Sequence, residues 1–169
     1  MPSFDRRRTL RVFAVVAAIS TYSTIVLGGS VSSSGAGLAC PDWPLCHGAV
    51  VPDLSRADIL IEYTHRLVAA LTSLFLFLTM VLALLWFRWE RRLVFVSTMS
   101  VLLLAGQVTL GMLTITSRLD PAVVTTHLAF ATATFAGAIA TAILALLPPA
   151  APAPSPAGRA PSSLDEAVH

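Results

Sequence analysis

Ile59-Leu60-Ile61-Glu62-Tyr63-Thr64-His65-Arg66 opens an apolar run that continues without a charge from Leu67 to Phe87. The whole stretch, Ile59 to Phe87, exceeds the roughly 20 residues that cross a bilayer at about 1.5 Å rise each. Working outward, three more stretches qualify: Leu10 to Leu27, Leu93 to Ile115, and Val123 to Leu147. The expected fold is an all-α membrane protein, a four-helix transmembrane bundle over residues 10–147. Glu62, His65 and Arg66 are then polar groups just inside the start of a span, where a charge or imidazole costs several kcal/mol unless paired or ligated.

Composition agrees. The chain has 169 residues, 56% of them hydrophobic and only 12% charged, with a mean hydropathy of +0.79, values that belong to a bilayer. The net charge of +2 is small and its cations are all arginine, which leaves little for a nucleic-acid reading. Four spans also leave no room for a separate soluble catalytic domain.

Arg88-Trp89-Glu90-Arg91-Arg92 is a short charged turn that makes the second and third spans antiparallel neighbours. Arg6, Arg7, Arg8 and Arg11 flank the first span on the same side, and the positive-inside rule makes that side cytoplasmic. Arg56 and Arg118 count against this orientation but are outnumbered. Both termini are therefore expected inside, with an extracytoplasmic loop at 28–58 and a cytoplasmic segment at 1–9. The arginine-rich start also resembles a secretory signal; its long apolar core and the three later spans favour a retained helix in a multi-pass plasma-membrane protein. The tail at 148–169, rich in Pro, Ala and Ser, is expected to be disordered, and His169 is uninformative.

Glu62 and His65, three apart, share a helix face. Arg66 is turned about 100° from His65 and has two options, pairing with Glu62 or reaching a ligand carboxylate. Water at the interface, with nothing bound, is the bland account of all three. His127 weighs against that account. It follows Pro121 on a helix that starts on the same side, at a depth of roughly 9 Å that matches His65 measured from Ile59. Ala131, Thr134 and Ala138 continue its face as small residues, which permit close approach of a helix or a flat macrocycle. Two imidazoles at matched depth in a bundle suit axial ligation of a haem iron, His65 and His127 being the ligands; hydrogen bonding to a neighbouring helix is the alternative. Gln107, near the same level on the third span, either orients a ligand or joins helices.

The loop contains Leu38-Ala39-Cys40-Pro41-Asp42-Trp43-Pro44-Leu45-Cys46-His47-Gly48, with both cysteines of the chain. They lie on the side where disulfides persist. A closed ring, as a staple or as a redox pair, is feasible. A zinc site from Cys40, Cys46 and His47 lacks a fourth ligand.

Taken in order, Gly28-Gly29, Gly35, Gly37-Leu38, Cys40 to Cys46, Glu62, His65-Arg66, Gln107, Leu110-Gly111, Pro121 and His127 resemble the N-terminal half of haem A synthase across the whole membrane part of the chain. Members of that family oxidise a methyl group of haem O to the formyl group of haem A, for terminal oxidases. They are built from two similar four-helix halves, each with a histidine pair. The resemblance implies that His65 and His127 are the axial pair of the substrate-type half, Glu62 the acidic residue needed for turnover, and Cys40–Cys46 the loop disulfide. It makes haem O the substrate and haem B a cofactor, with haem O synthase among the partners.

Two departures stand out. Where the family has Val-Arg and then Thr-Gly-Ser-Gly-Leu, this chain has Val31-Ser32-Ser33-Ser34-Gly35-Ala36-Gly37-Leu38, so an arginine suited to a propionate is missing there. The resemblance also covers one half, hence one histidine pair, and implies a homo-oligomer or a second half-length unit. The expected mechanism admits haem O from the lipid between spans two and four, with Glu62 moving a proton or stabilising developing positive charge. The principal rival is a non-catalytic, bis-histidine b-type haem protein that carries haem or electrons. A cofactor-free assembly factor is more distant.

Overall fold

Asp5 starts the first helix, its carboxylate accepting from the backbone N–H of Arg7 and Arg8 at 3.0 and 3.1 Å. Such a cap satisfies donors that have no partner within the helix. The computed structural model describes residues 5–148. Within them α1 runs Arg6–Ser33, α2 Ala57–Trp86, α3 Arg91–Thr116 and α4 Pro121–Leu146. α4 begins much as α1 does, with Asp120 accepting from Ala122 and Val123 and Pro121 in its first turn; proline suits that place because its missing N–H would be unpaired anyway.

All four helices are long and apolar enough to cross a membrane, and the fold is the expected four-helix bundle. Their ends differ from the apolar runs. α1 continues through Gly28–Ser33, so the irregular loop covers 34–56 rather than 28–58. Backbone hydrogen bonding continues where apolar content stops, and Ser30, Ser33 and Ser34 satisfy their hydroxyls by donating back to helix carbonyls. The tail at 148–169 lies outside the described residues except for Pro148, as do residues 1–4.

The helices form a ring in which α1 packs on α2 and α4, and α3 packs on α4 and α2. The α1/α2 and α3/α4 contacts are the most extensive and α2/α3 the slenderest. α2 and α4 are therefore diagonal. This overturns one expectation: spans two and four share no surface seam through which a haem could enter, because α1 and α3 separate them.

Two apolar clusters fill the ring, one of Leu10, Ala14, Ala83, Leu93, Ala142 and Ala145, the other of Ala17, Leu76 and Ala138. Buried hydroxyls lie among them, including Thr72, Thr79, Ser100, Thr134 and Thr141, each donating to the carbonyl four residues back. That pattern satisfies a polar group in a medium without water. Large apolar side chains such as Ile19, Leu74, Phe77, Leu85 and Leu102 point outward, as lipid-facing positions should. At the end bearing the α2–α3 turn, Arg7 makes a bidentate pair with Glu90 at 2.8 and 3.1 Å. Arg11 donates to the carbonyls of Ala145 and Leu146 at the end of α4. These contacts tie α1 to the α2–α3 turn and to α4.

Candidate functional site

At the opposite end the 34–56 loop folds over the bundle. Cys40 and Cys46 are disulfide-bonded, with both residues almost wholly buried, at 0% and 2% exposure. The zinc reading falls with that bond, since the two sulfurs are joined; among the described residues no cluster of three or more His, Cys, Asp or Glu side chains could hold a bare metal ion. Just beyond the ring, Cys46 and Ala49 exchange backbone hydrogen bonds of 3.0 and 3.1 Å. Asp42 accepts from the N–H of His47 and Gly48 at 2.7 and 2.8 Å. Those amides, Gly48 foremost, hold its carboxyl below the ordinary aspartate range. His47, at a positive φ of 52°, bonds through Nε2 to the Ala39 carbonyl at 2.8 Å, so it braces the loop rather than facing the bundle.

The first turns of α2 grip this loop from below. Glu62 is 4% exposed. One of its oxygens accepts from the Cys40 N–H at 2.8 Å and the other pairs with Arg66, four residues on. Arg66 in turn donates to the carbonyls of Cys40, Asp42 and Leu45 at 2.7, 2.7 and 2.8 Å. A guanidinium with several donors in a planar fork can bind that many carbonyls at once; a lysine could not match the geometry. Of the two options read for Arg66, the structure shows the pairing with Glu62 and adds the loop carbonyls to it.

One turn deeper the two histidines occupy a different setting. His65 lies against Gly28 of α1, where an added Cβ would sit 3.1 Å from the imidazole Cε1. His127 lies against Gly111 of α3, with the corresponding distance 3.3 Å. Each ring therefore rests on a glycine of the helix that packs most closely on its own. Gln107 of α3 places its Nε2 3.3 Å from His127 Nε2.

Three buried polar atoms here have no hydrogen-bond partner: His65 Nδ1, His127 Nδ1 and Gln107 Oε1. Orphaned polar atoms are rare in folded proteins and call for a reason. All three belong to one level of one site, on α2, α4 and α3. The small strip beneath His127 also faces inward, with Thr134 and Ala138 at 2% and 1% exposure. Gly28 and Gly111 are the site residues that side-chain chemistry in the sequence did not reveal. Their order relative to the histidines was the available signal; their role as the floor beneath each ring was not.

Residues 11–165 match the COX15-CtaA family, described as cytochrome oxidase assembly protein. The chain belongs to that family. Among its relatives, the haem A synthase of Shouchella clausii is 35% identical over 99 residues, 59% of this chain and 33% of the relative. That of Bacillus pumilus is 30% identical over 142 residues, 80% of this chain and 44% of the relative. That of Alkalihalophilus pseudofirmus is 26% identical over 139 residues, 82% and 47% respectively. The chain spans less than half the length of these relatives. The family relation agrees with the multi-pass membrane fold.

Proposed function

We propose that this chain is a haem A synthase-like oxidoreductase unit, acting on the methyl group of haem O in haem A biosynthesis. The observation that carries the reading is the pair of imidazoles on diagonal helices, each with a buried, unpartnered Nδ1 and each resting on a glycine. Helices on the diagonal can each turn a side chain toward the bundle axis, so one group bound there would be within reach of both imidazoles. His65 and His127 would hold the iron. Haem, when bound, supplies the oxidative chemistry.

The rest falls to this chain's own side chains. Glu62 and Arg66 hold the disulfide loop across the mouth of the bundle and exclude water from the level of the histidines. Gln107 orients the His127 ring before ligation. The porphyrin enters through the α2/α3 seam, the slenderest contact of the ring. A second four-helix unit, from another copy or a half-length partner, would hold a second haem, B-type as cofactor. Haem O synthase is the partner that would deliver substrate. The loop faces the extracytoplasmic side of the plasma membrane and both termini the cytoplasm, because Arg6, Arg7, Arg8, Arg11, Arg88, Arg91 and Arg92 gather at the other end.

A second reading, a non-catalytic bis-histidine b-type haem protein, draws on one observation: both Glu62 oxygens are already engaged, one by the Cys40 N–H of the loop and one by Arg66, which gives this residue work without turnover. Extraction and identification of the porphyrin from wild type and His65→Ala separates the two. Haem O with haem A or a hydroxylated intermediate, lost in the variant, supports the enzyme. Haem B alone supports the carrier. No porphyrin in either protein refutes both.

A further inference from the structure

The corner between α3 and α4 holds a cationic cavity that the histidine pair, Glu62 and the disulfide do not account for. It measures about 380 Å³ and is lined by Leu38 and Pro41 of the loop and by Ile115, Thr116 and Arg118. Both walls are positioned. On one side, Pro41 follows Cys40, whose N–H and carbonyl are held by Glu62 and Arg66. On the other, the corner turns through Arg118 and Leu119, both at positive φ, 54° and 64°, and Leu119 packs on Gly37 of the loop, where an added Cβ would meet it at 3.1 Å.

Two relations give the cavity a ligand. The first is depth. Ile115 stands one helical turn beyond Gly111, the residue against the His127 ring, so the cavity begins about 6 Å nearer the loop than that imidazole. The second is charge. Three arginines are described at this end of the bundle. Arg56 pairs with Asp58 and Arg66 with Glu62, whereas Arg118 makes no ion pair among the described residues. The nearest acid in sequence, Asp120, is occupied in capping α4.

We infer that Arg118 and its cavity receive a carboxylate arm of the porphyrin held by His65 and His127, a propionate clamp at the α3–α4 corner. The inference rests on the haem reading above. It assigns to the corner a role that the serine run at Ser32–Ser34 leaves unfilled: an arginine with a planar donor fork matched to a carboxylate. The porphyrin's orientation follows, with its acidic edge toward the loop and its apolar edge toward the bundle interior.

The test is porphyrin titration of the full chain in neutral phosphatidylcholine nanodiscs, read from the Soret band. The ligands are iron protoporphyrin IX and its dimethyl ester; the proteins are wild type, Arg118→Gln, Arg118→Lys and His65→Ala. A charge-assisted bond of ordinary strength corresponds to roughly ten-fold or more in affinity. Wild type should therefore bind the diacid about ten-fold more tightly than the ester. Arg118→Gln should erase that preference while leaving ester binding unchanged, and Arg118→Lys should keep part of it. Equal discrimination by wild type and Arg118→Gln, with binding still lost in His65→Ala, overturns the clamp and leaves the haem site standing. Absence of histidine-dependent binding to either ligand overturns the haem reading and the clamp with it. If Arg118→Gln changes only the response to added phosphatidylglycerol, the arginine serves a lipid phosphate and the clamp is refuted.

Discussion

Gly28 of α1 lies under the His65 imidazole so closely that a methyl group added there would stand 3.1 Å from Cε1. A ring on α2 is thus set by what its neighbour lacks. Gly28→Ala must push the ring or part the helices, an overpacking that typically costs about 1–3 kcal/mol. The expected result is an intact bundle by circular dichroism with haem occupancy reduced several-fold and an altered low-spin spectrum. Gly111→Ala, with 3.3 Å to His127, should do the same more mildly. Unchanged occupancy in both variants would show that the glycines do not set the rings.

Glu62 ties the disulfide loop to α2 through the Cys40 N–H and Arg66. Removing one partner of a buried pair leaves the other uncompensated, at a cost on the order of 3–5 kcal/mol. Glu62→Ala should therefore loosen the loop, seen as faster amide exchange at residues 40–46. Glu62→Gln keeps the oxygen for Cys40 and should loosen it less. If haem conversion persists in Glu62→Gln, in a strain dependent on this protein, the acid is a positioning group and not a proton carrier.

The Cys40 and Cys46 sulfurs belong to residues of 0% and 2% exposure, which shields the bond from external thiols. Closing so short a loop is worth roughly 2–3 kcal/mol in the chain-entropy model. Serine at both positions should lower expression and haem occupancy at every reductant level. A defect seen only when reductant is limiting would instead make the pair an electron relay.

Asp42 offers a pH test outside the membrane spans. Backbone N–H groups, Gly48 first, hold its carboxyl below the ordinary range, so its contribution to loop order is complete above the unfolded value of about 4 and is lost as pH falls through the lower folded value. Reduction of the Cys40–Cys46 bond by a phosphine should stay slow down to about pH 4 and accelerate below it. Asp42→Asn should be faster throughout and without that inflection. An identical profile in both proteins would refute the role.

Much of this was legible in the chain. The apolar runs located all four helices, because exclusion of the backbone from hydrocarbon leaves few other solutions. Their ends were less legible: hydropathy reports where lipid contact stops, whereas Asp5 and Pro121 mark where helical hydrogen bonding begins, and α1 runs on past its apolar stretch to Ser33. At the site, Glu62, His65, Arg66, Gln107, His127 and the cysteine pair could be singled out because polar groups are conspicuous in apolar surroundings. Their partners could not. Arg66 had two candidates, Glu62 and a ligand carboxylate, and the loop carbonyls that it also binds come from residues more than twenty positions earlier.

The order of residues alone determined that this is a four-span membrane chain with two histidines at one depth, since length, charge and periodicity are local properties. Tertiary packing decided that α2 and α4 stand on the diagonal, that Gly28 and Gly111 floor the two rings, and that Arg118 meets the loop across a cavity. These are relations between helices, and the side chains that create them share no neighbourhood until the bundle closes.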